Sequence, residues 1–400
     1  MITELFFDSL LNLGSDWKVE KIEYDAESDE VDIFVKWEGS FLLGANEKIY
    51  DYRSLRRWRH LDIMQYKTFI SARIPRVIDS SGKVRSLEVP WSDSMERHTY
   101  LFERSVIDLL LACKNQTKVA QLMRCGFNVV NRIIHLCSER GVKRRDKEKI
   151  YKQLSIDEKS FQKGHNYIGV LSSPDDGYII DVCEGRKKAD CTQMLEKNLS
   201  KEQRLEVENI SMDMWKAFIS SAKEVLPHTK IVHDRFHLIK YLNDAVDKVR
   251  QREVKNHEVL RNSKYALLKN HANLTLNQFW KFDEIVKINF EVSKAWRLKE
   301  CFKALFKCDD YQQAFTRYSD WSSFCNWENI KEVNKVVDMF NRNLKGVCNA
   351  LIEKLSNGMA ERLNGKIQEI KIHAKGYRKF ENFRSAILFF HGGLNLYPHK

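Results

Sequence analysis

The sequence has little proline and glycine, with only 5 and 16 of these residues among 400. Long flexible linkers are rich in such residues, so the composition excludes them. The chain also lacks any run of about 20 apolar residues, which is what a helix needs to span a bilayer. Residues 1–8 lack the basic start of a signal peptide. We therefore expect a cytoplasmic protein with no membrane-spanning segment.

Cysteine is scattered and does not form paired motifs. The chain has nine cysteines, none in a CxxC pair, and the first of them is Cys113. An odd number of dispersed thiols fits a reducing compartment and excludes a disulfide scaffold. Because no cysteine precedes Cys113, a tetrahedral Cys/His zinc site cannot form in the first 100 residues. No zinc is expected.

The composition otherwise describes a globular protein with a basic surface. Hydrophobic residues make up 43% of the chain and charged residues 30%, which argues against bulk disorder. A length of 400 residues allows two or three domains. The formal net charge of +12 points to a polyanionic partner, either nucleic acid or an acidic membrane surface.

Residues 1–100 are predicted to form a small β-rich domain. Residues 17–23 and 30–37 alternate between apolar and polar side chains, which indicates half-buried strands. A basic segment follows, in which Arg56, Arg57 and Arg59 surround Trp58. Arginine binds phosphates bidentately and tryptophan can stack or wedge, so we expect this segment to contact DNA. The alternative is a basic surface strand with a core tryptophan.

Residues 101–148 change to a helical pattern. A short helix over residues 117–124, a turn at Gly126, and a longer helix over residues 129–140 match a helix-turn-helix. We expect Asn128 to cap the second helix and Gly141 to stop it. The second helix carries Arg132, and a basic run follows it. The DNA contacts predicted here are Asn128, Arg132, Lys143, Arg144 and Arg145.

From residue 149 strands and helices alternate. A strand over 151–157, a hairpin of 166–171 with 178–183, and strands over 207–213 and 230–234 are separated by helices. This is the element order of the ribonuclease-H-like fold, with an antiparallel start followed by parallel crossovers. Residues 251–350 are helical and rich in aromatics, which predicts an inserted helical subdomain. The catalytic α/β domain then comprises residues 149–250 and 351–400.

Three carboxylates are candidates for a metal site. Asp157 and Asp213 each end a predicted strand, and Glu361 lies on a later predicted helix. The C-terminal edge of an open α/β sheet is where sites form. Several carboxylates together suit Mg²⁺ or Mn²⁺, and two such ions about 3.5–4 Å apart support phosphodiester chemistry. The alternative is that the strand-end aspartates only cap helices.

The helix that carries Glu361 is predicted over residues 356–371, with Ser356 or Asn357 as its cap. One face is an apolar stripe. On the other face Glu361 stands among amides and a lysine, unlike an ordinary surface that mixes Lys and Glu at helical spacing. We expect the polar residues around it and just beyond the helix to hold the DNA strand. The candidates are Asn364, Lys371, Lys375 and Arg378.

At these residues the sequence resembles the bacterial insertion-sequence DDE transposases of the ISL3 family, over nearly the whole chain. The matching stretches are Arg56–Asp62, Val89–Trp91, Leu154–Glu158, Ser211–Trp215, Asp234–His237, Ser356–Gly358 with Ala360–Glu361 and Leu363–Asn364, and Gly376–Arg384. The last two of these are the most specific.

The resemblance implies a ribonuclease-H-like core whose catalytic, metal-binding triad is Asp157, Asp213 and Glu361. It implies an N-terminal region that binds the terminal inverted repeats of the element, and target DNA as a second substrate. Asp234 and His237 would have an accessory role, or else form a buried ion pair and a cap. Cleavage at two element ends implies a homodimer or higher multimer. A bacterial, nucleoid-associated location follows.

One departure from the family pattern matters. Members commonly carry a cysteine-rich zinc finger ahead of the Arg56–Asp62 segment, whereas residues 41–46 and 76–82 contain no cysteine here. This departure motivates an alternative, a non-catalytic DNA-binding protein derived from a transposase. A nuclease on the same core is a weaker alternative, because it would not need the helix-turn-helix.

Overall fold

The computed structural model describes residues 11, 13, 15–39, 47–162, 166–269, 273–288, 290–352 and 358–398, apart from the side chains of residues 360 and 361. The chain forms two compact units. The first comprises residues 1–145, 370–376 and 394–400, and the second comprises residues 146–369 and 377–393. None of the helices within the described ranges has both the length and the hydrophobicity needed to cross a membrane.

In the described part of the first unit, seven strands precede the helices that start at Tyr100, as the strand-rich pattern predicts. They are β1 (Trp17–Asp25), β2 (Glu30–Trp37), β3 (Lys48–Tyr52), β4 (Arg56–Arg59), β5 (Lys67–Ala72), β6 (Pro75–Ile78) and β7 (Val84–Ser86). They form a four-stranded sheet in the order β1-β2-β5-β4 and a three-stranded sheet in the order β3-β6-β7. The alternation in β2 is confirmed, because Val31, Ile33 and Val35 are all buried. Trp17 and Trp58 both pack edge-on against Trp91.

Ion pairs cross the small sheet β3-β6-β7. Arg85 on β7 donates to Glu47 just before β3, at 2.8 Å and 2.5 Å. Arg76 on β6 donates to Asp51 on β3. These pairs are exposed, so each contributes little to stability. The segment 41–46, where the family pattern would place cysteines, lies outside the described residues.

Among the described residues, the strands of this unit are followed by α1 (Tyr100–Cys113), α2 (Gln116–Leu122) and α3 (Phe127–Lys143). The short helix, turn and longer helix match the prediction, but two details were wrong. Gly126, not Asn128, is the N-cap of α3, so Asn128 lies inside the first turn. Gly141 does not stop α3. A Cβ at that position would lie 2.6 Å from the Leu394 side chain, so glycine serves a close approach of the chain there.

The second unit is built on a mixed sheet in the order β10-β9-β8-β11-β12. β8 is antiparallel to β9, and β9 to β10, whereas β8, β11 and β12 are parallel neighbours. The predicted hairpin and parallel crossovers are confirmed. The strands are β8 (Gln153–Gln162), β9 (Asn166–Ser173), β10 (Tyr178–Glu184), β11 (Asn209–Met212) and β12 (Lys230–His233).

Helices cover this sheet. The hydrophobic core includes Leu154 and Ile156 of β8, Ile210 and Met212 of β11, and apolar residues of the crossover helices. These helices are α4 (Lys188–Asn198), α5 (Lys201–Glu206) and α6 (Lys216–Val225), followed after β12 by α7 (Arg235–Glu253). The chain closes with α14 (Gly358–His373) and α15 (Phe380–His391). Phe383 of α15 stacks on Phe161 of β8, with 5.3 Å between the ring centroids.

The segment between α7 and α14 is helical, as predicted. It contains α8 (Lys264–Leu268), α9 (Leu276–Ile288), α10 (Glu291–Ala304), α11 (Tyr311–Glu328), α12 (Lys331–Arg342) and α13 (Leu344–Ile352). These helices share one core with α7, and many of the aromatics lie in it, including Phe302, Trp321 and Phe340. α13 returns to the sheet, where the Asn349 amide donates to the Ile231 carbonyl of β12 at 2.8 Å.

Candidate active site

The parallel pairing of the three strands stops in register, and an aspartate follows the last residue of each strand that takes part in it. Ile156 of β8 pairs with Met212 of β11, which pairs in turn with His233 of β12. The next residues are Asp157, Asp213 and Asp234. Since residues in register on neighbouring strands share a face of the sheet, the parallel pairing brings these carboxylates into one row. We call Asp157, Asp213 and Asp234 the carboxylate row.

Asp157 does not end its strand, contrary to the prediction. It is the fifth of ten residues in β8, which continues because Asp157 still pairs with Val170 of β9. Only the parallel pairing with β11 stops at Ile156. The Asp157 carboxylate accepts a hydrogen bond from the Glu158 backbone N–H at 2.7 Å and another from the Asn364 amide of α14.

The Asp213 carboxylate is hydrogen-bonded by one backbone group and one side chain. Its carboxylate accepts from the backbone N–H of Met214 at 2.6 Å. The Tyr241 hydroxyl of α7 lies 2.9 Å and 3.0 Å from the two carboxylate oxygens. Burial raises the pKa of Tyr241, and the charge of Asp213 raises it further. The hydroxyl therefore stays protonated and donates to Asp213.

His237 lies among all three members of the row. Its Nδ1 is 3.6 Å from Asp213, while its Nε2 is 3.9 Å from Asp157 and 3.8 Å from Asp234. Asp234 caps α7, where its carboxylate accepts from the Phe236 N–H at 2.7 Å. The row and His237 are mostly buried, with side-chain exposures of 13–18%. In the described part of the chain, no three His, Cys, Asp or Glu side chains are arranged to hold a metal ion.

α14 carries the predicted apolar stripe. Leu363, Ile367 and Ile370 are buried, which confirms the predicted face. Asn364, on the polar face, contacts Asp157. Glu361 belongs to the same helix, one turn before Asn364, and its side chain lies outside what the structure describes. The predicted caps Ser356 and Asn357 also lie outside the described residues.

The basic segment of the first unit is tied into its own fold. Trp58 is fully buried in the first-unit core, so the prediction that it contacts DNA was wrong and the alternative of a core tryptophan holds. Arg57 donates to Glu30 and Asp32. Arg59 is buried and donates to the Thr68 carbonyl, and Arg56 donates to backbone carbonyls of residues 94 and 96. All three guanidinium groups already have protein partners.

The predicted contacts of the helix-turn-helix are more accessible. Asn128 and Lys143 are exposed. The Arg132 side chain is 58% exposed and donates two hydrogen bonds to the Glu96 carboxylate, each 2.8 Å long. Arg144 donates to the Tyr397 carbonyl at 2.6 Å, and Arg145 is half-buried.

The predicted contacts near the C-terminus differ in exposure. Lys375 and Arg378 are exposed, and Lys371 is half-buried. Asn364 is half-buried against Asp157 and is therefore a partner of the carboxylate row.

Sequence reasoning missed Tyr241. A signal for it exists, because Asp234, His237 and Tyr241 follow one another at spacings of three and four. This spacing places them on one face of α7, next to Asp213.

The chain is similar to known proteins over most of its length. A family model for DDE transposases of the ISL3 type, described as "Transposase", matches residues 154–387. The chain is 27% identical over 354 residues to the transposase for insertion sequence element IS1557 of Mycobacterium tuberculosis, covering 81% of this chain and 79% of that protein. It is 24% identical over 379 residues to the transposase for insertion sequence element IS1001 of Bordetella parapertussis, covering 91% and 93%.

Proposed function

This chain belongs to the ISL3 family of insertion-sequence transposases, and we propose that it cuts and joins DNA at a DDE site formed by Asp157, Asp213 and Glu361. The observation that supports this most directly is the register of the parallel strands, which brings Asp157 and Asp213 side by side. Glu361 precedes Asn364 by one helical turn, and Asn364 donates to Asp157. The backbone of α14 thus runs close to the carboxylate row.

The donor chemistry of the row fits a divalent cation. Among the described residues, no lysine or arginine forms an ion pair with Asp157 or Asp213, and the His237 imidazole lies 3.9 Å and 3.6 Å from these two carboxylates. Mg²⁺ favours one or two carboxylates together with water and phosphate oxygens. Asp157, Asp213 and Glu361 would hold two Mg²⁺ or Mn²⁺ ions. When bound, these ions would activate the attacking oxygen and stabilise the leaving oxygen.

The residues around the row would position it. Tyr241 fixes Asp213 through both oxygens, and Asn364 fixes Asp157. His237, near three carboxylates, would have the accessory role proposed for it together with Asp234. In the first step water attacks the phosphorus at the element end, and the 3′-oxygen leaves as a hydroxyl. In the second step this 3′-OH attacks a target phosphodiester and a target 3′-oxygen leaves, so no covalent protein intermediate forms.

The ribonuclease-H-like assignment is supported by the strand order β10-β9-β8-β11-β12, with three antiparallel strands followed by two parallel ones. The division into four regions remains our proposal. Residues 1–100 and 101–148 would bind the terminal inverted repeats, with Asn128, Arg132 and Lys143 as the accessible contacts. Lys375 and Arg378 would also contact DNA. A homodimer or higher multimer would bring two element ends together.

The test uses the full chain and DNA from the flanks of its gene, where we expect the terminal inverted repeats. We expect a footprint on the repeat and Mg²⁺-dependent cleavage at its end. EDTA should abolish cleavage and leave the footprint, because phosphate contacts by Lys and Arg do not need the metal. A footprint without cleavage in either Mg²⁺ or Mn²⁺ would instead support a DNA-binding protein that has lost catalysis.

A further inference from the structure

A recess of about 610 Å³ opens on the second unit close to the carboxylate row. Its size falls in the range of roughly 300–1,000 Å³ that is typical of ligand sites. The lining includes Trp215, two residues after Asp213, and Arg186, whose guanidinium donates to Glu158 at 2.9 Å. Glu158 directly follows Asp157. Two residues span at most about 7 Å of chain, so the Trp215 backbone lies within about one nucleotide's length of the Asp213 backbone.

The recess contains a fixed aromatic ring. The Trp215 indole N–H donates to the Arg186 carbonyl at 3.1 Å. The Arg186 guanidinium lies 4.5 Å from the centre of the Trp215 ring and 4.1 Å from that of Tyr167. Trp215 nevertheless remains 42% exposed. A large ring that is held in place yet open to solvent is a preorganised stacking surface.

The same recess carries basic side chains. Arg186, Lys187 and Lys188 line it in succession together with Glu184, and Arg186 also pairs with Glu158. Lys187 and Lys188 are exposed. Lys188 pairs with Glu224 at 2.5 Å, with both side chains about half exposed, and such pairs are weak enough to exchange for a phosphate.

We propose that this recess binds one unpaired nucleotide of the DNA strand, next to the bond that is cleaved at the site of Asp157, Asp213 and Glu361. Its base would stack on Trp215, and its phosphate would lie against Arg186 and Lys187. Each base inside a duplex is covered by its neighbours on both faces, so the nucleotide must leave the stack to enter. The identity of the ligand as DNA rests on the proposed function, whereas the stacking itself does not depend on catalysis.

The first test measures binding of a labelled single-stranded oligothymidylate by fluorescence anisotropy in EDTA, where no cleavage occurs. Trp215→Ala should weaken binding about 5- to 150-fold, the range for loss of one stacked base. Trp215→Phe should retain binding within a few-fold. Trp327→Ala is the matched control, because Trp327 is 77% exposed on α11 and lies outside the recess. Unchanged thermal unfolding would show that each variant is folded.

The second test scans an abasic nucleotide through the element end while binding is measured in EDTA. At one abasic position near the cleavage point, wild type and Trp215→Ala should bind the DNA with about equal affinity, because no base remains there to stack on Trp215. Wild-type affinity for the oligonucleotide in folded Trp215→Ala, or a defect that persists at every abasic position, would overturn the proposal. Neither result bears on cleavage at the proposed site of Asp157, Asp213 and Glu361, which is measured separately.

Discussion

Asp157→Asn and Asp213→Asn variants are expected to bind terminal-repeat DNA and to cleave it at least about 1,000-fold more slowly than wild type. Asparagine keeps the shape of each side chain but removes its charge. Without that charge the row loses its hold on a divalent cation, and loss of metal-assisted chemistry costs several kcal/mol of activation free energy. At Asp213 the amide can also no longer offer two oxygens to the Tyr241 hydroxyl.

Single-turnover cleavage at saturating protein separates this loss from weaker binding. Asp175→Asn is the control, because Asp175 lies exposed in the β9–β10 turn and undergoes the same chemical change. We expect its rate to match wild type. A cleavage rate within threefold of wild type in either row variant would remove that residue from the catalytic site.

Arg384→Ala is expected to destabilise the second unit by about 3–5 kcal/mol, the cost of leaving one charge of a buried pair alone. Asp181 on β10 is 3% exposed. It accepts from Arg384 of α15 at 2.7 Å and 3.0 Å and from Asn198 of α4 at 3.0 Å. Without Arg384 the Asp181 carboxylate keeps its burial but loses its counter-charge, and α15 loses this tie to the sheet.

Urea unfolding followed by circular dichroism measures this difference. Arg252→Ala provides the comparison, because Arg252 pairs with Glu291 and Glu332 while remaining about half exposed. We expect that change to cost less than about 1 kcal/mol. Equal effects of the two substitutions would show that the Asp181–Arg384 pair does not stabilise the unit.

Much of the second unit could be predicted because its signals are local. Alternating apolar runs and the turn at residues 172–177 identify the hairpin, and apolar strands between helices predict the parallel crossovers. The stripe of Leu363, Ile367 and Ile370 predicted the buried face of α14. Asp213 and Asp234 each follow a short parallel strand, so their place at the sheet edge is readable from the pattern.

The misjudged details depend on distant partners. β8 continues past Asp157 because β9 pairs with it, which no local signal in β8 reveals. Trp58 stands among arginines in the sequence, yet β4 presents it to Trp91 across the core. Likewise Gly141 resembles a helix stop until Leu394, more than 250 residues later, is seen to pack on it. Tertiary contacts override local propensity at each of these positions.

The central claim is that Glu361 of α14 completes the site begun by Asp157 and Asp213. Single-turnover cleavage by Glu361→Gln, compared with Glu369→Gln two turns further along the same helix, tests it most directly. The account predicts a loss of at least about 1,000-fold for Glu361→Gln with DNA binding intact, and a near wild-type rate for Glu369→Gln. Equal rates in the two variants would contradict the three-carboxylate site.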